Sequence, residues 1–386
     1  MRRLSILYVA YPLLKVSDES AGGAEQMLLT LEREMAAAGH RTTVAACDGS
    51  RVCGRLLATG AAATAPDHYA RREQEQSARI LQFLRDHPGE FDLIHDKSGS
   101  FFRHAGECPA PVLATLHLPR AFYPEEFFSD FPRNLWFNCV SHSQARTFAD
   151  LPNMIGVVQN GIAVERYLLL PGAYSKSFRS GSTPLPQRLK PGLCAARDGA
   201  AEAAPLHQGD YLLWLGRICE EKAPHLAIAV AQQAGVPLVI TGQVYPFRYH
   251  QAYFEREIRP WISGGVRFVE SPSFADKVKL LREARAVLLT STAEETSSLV
   301  AMEAMACGTP VIAVRCGAFA EIVADGETGF IVETVEEMAL ALEDVERISP
   351  KACRTRVEQQ FSAGRMAQEY EGLYRRVLTA AKELAA

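Results

Sequence analysis

Short apolar runs alternate with amphipathic helical stretches along most of this chain, and they do so in two separate series. That alternation constrains the fold more than any other feature. Strands buried on both faces need helices above and below a parallel sheet. In the first series, strands are predicted at Leu4–Val9, Thr42–Ala46, Leu93–His95, Val112–Leu116, Trp136–Val140 and Gly156–Val158. Helices are predicted at Ala24–Ala38, Tyr69–Arg85 and Ser143–Leu151, the first closed by Gly39. The second series places strands at Tyr211–Leu215, Leu238–Thr241, Val266–Val269 and Ala286–Thr290. Its helices are Pro224–Gln233, Gln251–Ile258 and Ala275–Ala284, and one long helical pattern covers Ala363–Leu384.

A compositional break parts the two series. From Arg166 to Gly209 the chain is rich in Pro, Gly, Ser and Ala, with no sustained period. The expected organisation is therefore an N-terminal domain over 1–165 and a partly disordered connection over 166–209. A C-terminal domain over 210–365 follows, then a helix over 366–386 that is free to pack back on the first domain. A length of 386 residues agrees with two cores rather than one. The class is α/β, with two Rossmann-like domains and ligands held in a cleft at the carboxyl ends of their strands.

The net charge of -4 leaves no excess of Lys and Arg for nucleic acid. No apolar run reaches the roughly 18–20 residues that a transmembrane segment needs, which leaves room for peripheral membrane contact only. The opening Met1-Arg2-Arg3-Leu4 reads as the approach to a first buried strand rather than a leader. Nine cysteines form no C-x-x-C pair, and ten histidines show no ligand spacing. Neither a zinc site nor a disulfide framework is predicted, no cofactor is expected, and a reducing cytoplasm fits best.

The chemistry concentrates after strand Ala286–Thr290, in Glu295-Thr-Ser-Ser-Leu-Val-Ala-Met-Glu303. Ser297 and Ser298 stand where a helix N-cap belongs, so several main-chain N–H groups are free at the helix start. Such a terminus attracts phosphate, and a carboxylate further along can take sugar hydroxyls. Upstream, Leu213-Trp-Leu-Gly216-Arg217-Ile-Cys-Glu-Glu-Lys222 ends a strand at a glycine and supplies two cations. A guanidinium with paired donors and an ammonium point charge suit a departing diphosphate. Taken singly, each pattern is an ordinary solvated surface. No D-x-D pair of the kind that holds a metal in sugar transferases is present.

Glu295 and Glu303 with the intervening residues resemble the E-x7-E signature of retaining glycosyltransferases of family 4, which have the GT-B fold. Lys222-Ala-Pro-His-Leu-Ala-Ile, Tyr245-Pro-Phe and Tyr253-Phe-Glu-Arg-Glu-Ile are similar to a subgroup near avilamycin-type glycosyltransferases. The resemblance implies a metal-independent transfer of a sugar from a nucleoside-diphosphate sugar, a UDP- or GDP-sugar. The acceptor would be a saccharide, a lipid-linked group or a small molecule. It assigns Arg217 and Lys222 to the diphosphate, Glu303 to the ribose and Glu295 to the donor sugar. Amides around Ser297, Ser298, Leu299 and Val300 would face the sugar and phosphates. It also points to Gly22 and Gly23 as the first loop and to His117 beside the reacting carbon. Ser141, Asn160 and Gly161 match positions that shape the cleft, whereas Gly317, Glu321, Gly326 and Gly329 read as turns and packing. Thr296 and Ser298 stand where many relatives have glycine, which narrows the donor space. Two other readings of the same residues are a catalytically silent nucleotide-sugar-binding subunit and a glycoside hydrolase using the two glutamates as an acid–base pair.

Overall fold

The computed structural model describes residues 2–20, 22–63, 68–129, 131–167 and 209–385. The expected connection lies outside the described residues from 168 to 208. The first sheet contains β1 (Ser5–Val9), β2 (Arg41–Ala46), β3 (Arg55–Ala58), β4 (Leu93–Asp96), β5 (Val112–Leu116), β6 (Leu135–Cys139) and β7 (Met154–Val157). The second contains β8 (Leu212–Leu215), β9 (Leu238–Gly242), β10 (Val266–Glu270), β11 (Ala286–Leu289), β12 (Val311–Val314) and β13 (Gly329–Val332). Helices α1 (Gly23–Ala37), α2 (Tyr69–Asp86) and α3 (His142–Thr147) belong to the first series, and α4 (Pro224–Ala234), α5 (Arg248–Tyr253) and α6 (Phe274–Glu283) open the second. Next come α7 (Leu299–Ala306), α8 (Phe319–Ile322), α9 (Val335–Ala341), α10 (Pro350–Gln360) and α11 (Ala363–Ala385).

Every pairing between these strands is parallel. The orders are β3-β2-β1-β4-β5-β6-β7 and β10-β9-β8-β11-β12-β13. In both, the chain winds outward in one direction and then returns to the centre to wind the other way. The reversal falls between β1 and β4 in the first sheet, where Ile6 pairs with Leu93, and between β8 and β11 in the second, where Leu213 pairs with Val287. Loops leaving neighbouring strands at such a point diverge to opposite faces, and the gap between them is where open α/β sheets bind ligands.

All five residues of β1 are buried, as are all four of β11, so their apolar side chains are packed on both faces. One core cluster lies beneath α2 in the first domain and another beneath α4 and α9 in the second. A third is continuous between the domains, joining β1 and α1 to α7, α10 and α11 through Val164, Tyr167, Phe361 and Met366. Helix α11 crosses back to the first sheet. There the Tyr374 hydroxyl meets Tyr8 OH at 3.2 Å and His95 Nδ1 at 2.7 Å, while Tyr370 OH meets Thr115 Oγ1 at 3.2 Å.

Local differences from the predicted elements have packing causes. The helix predicted at Ser143–Leu151 stops at Thr147, because Phe148 turns fully inward against Tyr123 and Phe128. The one predicted at Gln251–Ile258 starts earlier, at Arg248, and widens into a π turn over Phe254–Ile258. Strands β3 and β13, helices α9 and α10 and the single turn α8 escaped the pattern. Both of those strands are four-residue edge strands, β3 only half buried. Among the described residues, no helix is long and apolar enough to cross a membrane.

Candidate active site

The loop after β8 and the loop after β11 leave adjacent strands at the second reversal point. Gly216 donates its N–H to Thr241 O at 3.0 Å, and the approach is so close that a Cβ on Gly242 would sit 1.7 Å from Gly216 O. Arg217 follows, exposed, with its guanidinium 5.9 Å from the Tyr245 ring centroid. A short 3-10 turn over Glu220–Lys222 ends at Ala223, whose φ of 48° is left-handed. Thr290 Oγ1 donates to Ala223 O at 2.8 Å, tying this loop to the end of β11.

Lys222 is thereby brought to Glu295. Its ammonium donates to Glu295 Oε1, and Ser291 Oγ donates to the same oxygen. The backbone beneath is held just as closely. Ala318 N donates to Glu295 O at 2.7 Å, and a Cβ on Gly317 (φ 54°) would lie 2.2 Å from that oxygen. Gly317 therefore does more than turn the chain: only a residue without a side chain lets the β12 loop support Glu295.

Ser298 caps α7, its hydroxyl accepting from Ala301 N at 3.2 Å. The amides of Leu299 and Val300 precede the first possible intrahelical bond and point out of the helix start. Ser297 Oγ is buried without a hydrogen-bond partner. Glu303 lies on the second turn of α7 and is 3% exposed. Its Oε1 accepts from Tyr167 OH at 2.7 Å and from Lys277 Nζ at 2.6 Å. Neither partner was flagged in the sequence. Tyr167 stands at the edge of the Pro-, Gly-, Ser- and Ala-rich connection, and Lys277 belongs to an unremarkable amphipathic helix.

The first domain closes the opposite wall. Gly22 is the N-cap position of α1, and a Cβ on Gly23 would touch Leu299 Cδ1 at 3.4 Å. The paired glycines and the start of α7 therefore face one another. Thr296 Oγ1 donates to His117 O at 2.7 Å, a second bridge between domains. Glu321 makes a third. Its carboxylate accepts from His142 N at 2.9 Å, Ser143 N at 2.6 Å and Gln159 Nε2 at 3.1 Å. Glu321, expected from the sequence to serve turns and packing, accepts hydrogen bonds at the start of α3 in the other domain.

His117 follows β5 with its main-chain N–H donating to Tyr123 OH at 3.0 Å and its Nε2 buried without a partner. Burial, and secondarily the charge of Lys97, hold its imidazole well below the usual histidine range, so it is neutral. Lys97 was not singled out in the sequence, where it is one lysine among many. It leaves β4 at the first reversal point, is 1% exposed, and its Nζ has no hydrogen-bond partner. Burial pushes its ammonium down to about 7, with Asp96 opposing. The Tyr370 ring lies 5.0 Å away on α11. Tyr11 OH is likewise buried and unpaired, and burial raises the Glu25 carboxyl to about 7.

Ser141 caps α3 by accepting from Gln144 N at 3.3 Å, and a Cβ on Gly161 would lie 2.3 Å from Ser362 O. Asn160 is buried, with its Oδ1 unpaired. On and beside the loop after β8, Cys219 Sγ, a Glu221 oxygen and a His250 ring nitrogen lie within 4.8 Å of one another.

A family model described as Glycosyltransferase Family 4 matches residues 21–166, and one described as Glycosyl transferases group 1 matches residues 209–346. A D-inositol 3-phosphate glycosyltransferase from Corynebacterium aurimucosum is 29% identical over 223 residues, 53% of this chain and 49% of that protein. An N-acetyl-alpha-D-glucosaminyl L-malate synthase from Bacillus anthracis is 32% identical over 111 residues, 27% of this chain and 29% of that one. The chain thus spans about half, or less, of the length of these curated relatives. AviGT4, a glycosyltransferase involved in avilamycin A biosynthesis, superposes with a TM-score of 0.65 at 20% identity, covering 97% of this chain and 98% of that one. Anabaena Alr3699/HepE in complex with UDP-glucose gives a TM-score of 0.68 at 18% identity, over 99% and 100% of the two chains. These superpositions establish the two-domain architecture.

Proposed function

Because the chain belongs to glycosyltransferase family 4 and has the GT-B fold, we propose that it transfers a sugar from a UDP- or GDP-sugar to an acceptor hydroxyl, with retention at the anomeric carbon. One observation carries this reading. Arg217 and Lys222 after β8, and the Ser298-capped start of α7 after β11, leave adjacent strands at one reversal point, and Leu299 at that helix start meets Gly23 across the cleft.

In this reading the diphosphate lies between Arg217, Lys222 and the amides of Leu299 and Val300. It draws Lys222 away from Glu295, and the freed carboxylate turns to the donor sugar. Glu303 takes the ribose hydroxyls, held in place by Tyr167 and Lys277. The anomeric bond to the diphosphate oxygen breaks while the acceptor oxygen bonds to the same face. The acceptor proton passes to the departing phosphate oxygen, so no metal and no protein base is required. His117 stands beside the reacting carbon as a neutral group. Hydrolysis by the two glutamates is disfavoured, because one is ion-paired with Lys222 and the other is buried beneath Tyr167 and Lys277.

The acceptor enters from the first domain, and we assign it an anionic group that meets Lys97 when the cleft opens. Saccharide, lipid-linked and small-molecule acceptors all fit this description. An unpaired buried ammonium supports the assignment, since such a group is retained at a cost that a ligand anion offsets. The curated relatives are named for L-malate and inositol 3-phosphate, both anions. A cytoplasmic setting belongs to the same reading, from cysteines that lack any disulfide spacing.

The test is a thermal-shift screen of UDP-, GDP- and ADP-sugars, followed by product analysis with the stabilising donor. Sugar transfer with the anomeric configuration kept is the expected result. Stabilisation by a donor without turnover on any anionic acceptor would leave a binding subunit instead.

A further inference from the structure

We propose that Cys219, Glu221 and His250 form a binding site for one zinc-like divalent cation, which braces the loop between Arg217 and Lys222. The three donor atoms lie within 4.8 Å of one another, although His250 comes from α5, beyond β9, and the other two from the loop after β8. Two observations besides proximity point to a ligand. His250 is 0% exposed, and neither ring nitrogen has a hydrogen-bond partner. Glu221 Oε2 is buried and unpaired as well. Buried polar atoms are almost always satisfied, so several orphans converging on one point need an explanation.

The surroundings fit an ion better than an empty polar pocket. Phe247 meets the His250 ring edge-on with centroids 5.2 Å apart, Tyr249 does so at 4.3 Å, and Tyr245 lies at 6.0 Å. This aromatic cage keeps bulk water from the imidazole. The backbone that presents the ligands is fixed from both sides: Ile218 N donates to Gln243 O at 3.1 Å, and Thr292 N donates to Glu221 O at 2.9 Å. Cys219 Sγ donates to Arg217 O at 3.5 Å and also interacts with the Glu221 carboxylate, so thiol and carboxylate already face one another.

Thiolate, imidazole and carboxylate together are a donor set that zinc takes, with bonds of about 2.0–2.3 Å and tetrahedral geometry. Ligand atoms would then be roughly 3.3–3.8 Å apart, so the present spacing closes by about 1.5 Å at most. Charge also balances. A dication cancels the thiolate and the Glu221 carboxylate, leaving Arg217 free to face a phosphate. Binding expels the Cys219 proton to solvent, so affinity rises with pH. A water completes the fourth position. The ion touches neither donor nor acceptor, which keeps this site separate from the transfer chemistry proposed above.

Cobalt titration of the chelator-stripped, tag-free full chain tests the proposal. A thiolate-to-cobalt charge-transfer band that saturates at one equivalent and is displaced by zinc is expected. Cys219→Ser abolishes the band and weakens zinc at least tenfold, measured by competition with a chromophoric chelator. His250→Gln weakens zinc similarly, and Cys53→Ser, at an exposed thiol, leaves it unchanged. Zinc raises the melting temperature of the parent chain and not that of Cys219→Ser. The site is overturned if the folded parent shows no band, or if Cys219→Ser keeps the band or the full zinc-induced shift. Circular dichroism establishes folding of each variant, and the Cys219→Ser result decides the matter if His250→Gln does not fold.

Discussion

The two reversal points of this molecule are built on the same topology and left in opposite electrostatic states. At the second, between β8 and β11, the charged side chains of the proposed chemistry are largely paired in advance: Lys222 with Glu295, and Glu303 with Lys277 and Tyr167. At the first, between β1 and β4, Lys97 Nζ and Tyr11 OH are buried without partners, as is His117 Nε2 beside them. A paired site is stable when empty and exchanges one partner for a ligand. An unpaired site is destabilised when empty and gains more from an ion of opposite charge. Under the proposed function, the paired side takes the nucleotide and the unpaired side is completed by an anionic acceptor.

The strongest test of the paired side is Arg217→Ala or Lys222→Ala, each expected to lower the transfer rate by roughly 10²–10³, as loss of a donor to developing charge does elsewhere. Near-normal single-turnover rates in both would remove the diphosphate from this loop. On the unpaired side, Lys97→Met is expected to raise the acceptor KM about 10- to 100-fold while leaving donor binding unchanged, from loss of a charged hydrogen bond. The same variant should stabilise the ligand-free chain at pH 6 by roughly 1–3 kcal/mol, because a buried unpaired cation is gone. Equal or lower stability in a denaturant titration would show that Lys97 has a partner after all.

A pH series sharpens the contrast. Lys97 falls from an ordinary value of 10.5 to about 7 on burial. Between about 7 and 10.5 the unfolded chain holds a proton that the folded chain lacks, so this group makes stability rise with pH across that window. Below about pH 7 the folded chain must keep the buried cation, and the destabilisation is at its full size. Binding of an anionic acceptor should run the other way, weakening as pH climbs past about 7. Lys97→Met should flatten both trends. The smallest effect is expected at the contact between the two domains: Glu321→Gln weakens three interdomain hydrogen bonds, costing about 1–2 kcal/mol and slowing turnover several-fold.

The paired side was largely legible in sequence, because its chemistry is local. Gly216, Arg217 and Lys222 lie within one strand-to-helix turn, and Ser298 and Glu303 lie within one capped helix. Short-range rules for caps, turns and helix termini reach that far. Lys277 and Tyr167 were not legible, since nothing in an amphipathic helix or at the edge of the Pro- and Gly-rich connection marks which residue will meet Glu303. Lys97 and Glu321 failed for the same reason: a lone charge carries no signal until its burial, or the helix start opposite it, is known. The convergence of Cys219, Glu221 and His250 was not legible either, because ligand spacings are read close in sequence and here a strand intervenes.

The order of residues alone determined two parallel sheets, the position of their loops and the capped helix, because each follows from hydrophobic period and local backbone preference. Tertiary structure decided which carboxylates are ion-paired, that the Lys97 ammonium is buried without a hydrogen-bond partner, and how the walls of the cleft meet. Those outcomes depend on burial and on contacts between segments more than a hundred positions apart, such as Thr296 with His117 and Tyr167 with Glu303. A hydrogen bond between them costs little to make and much to leave unmade, yet no local pattern records which groups will meet.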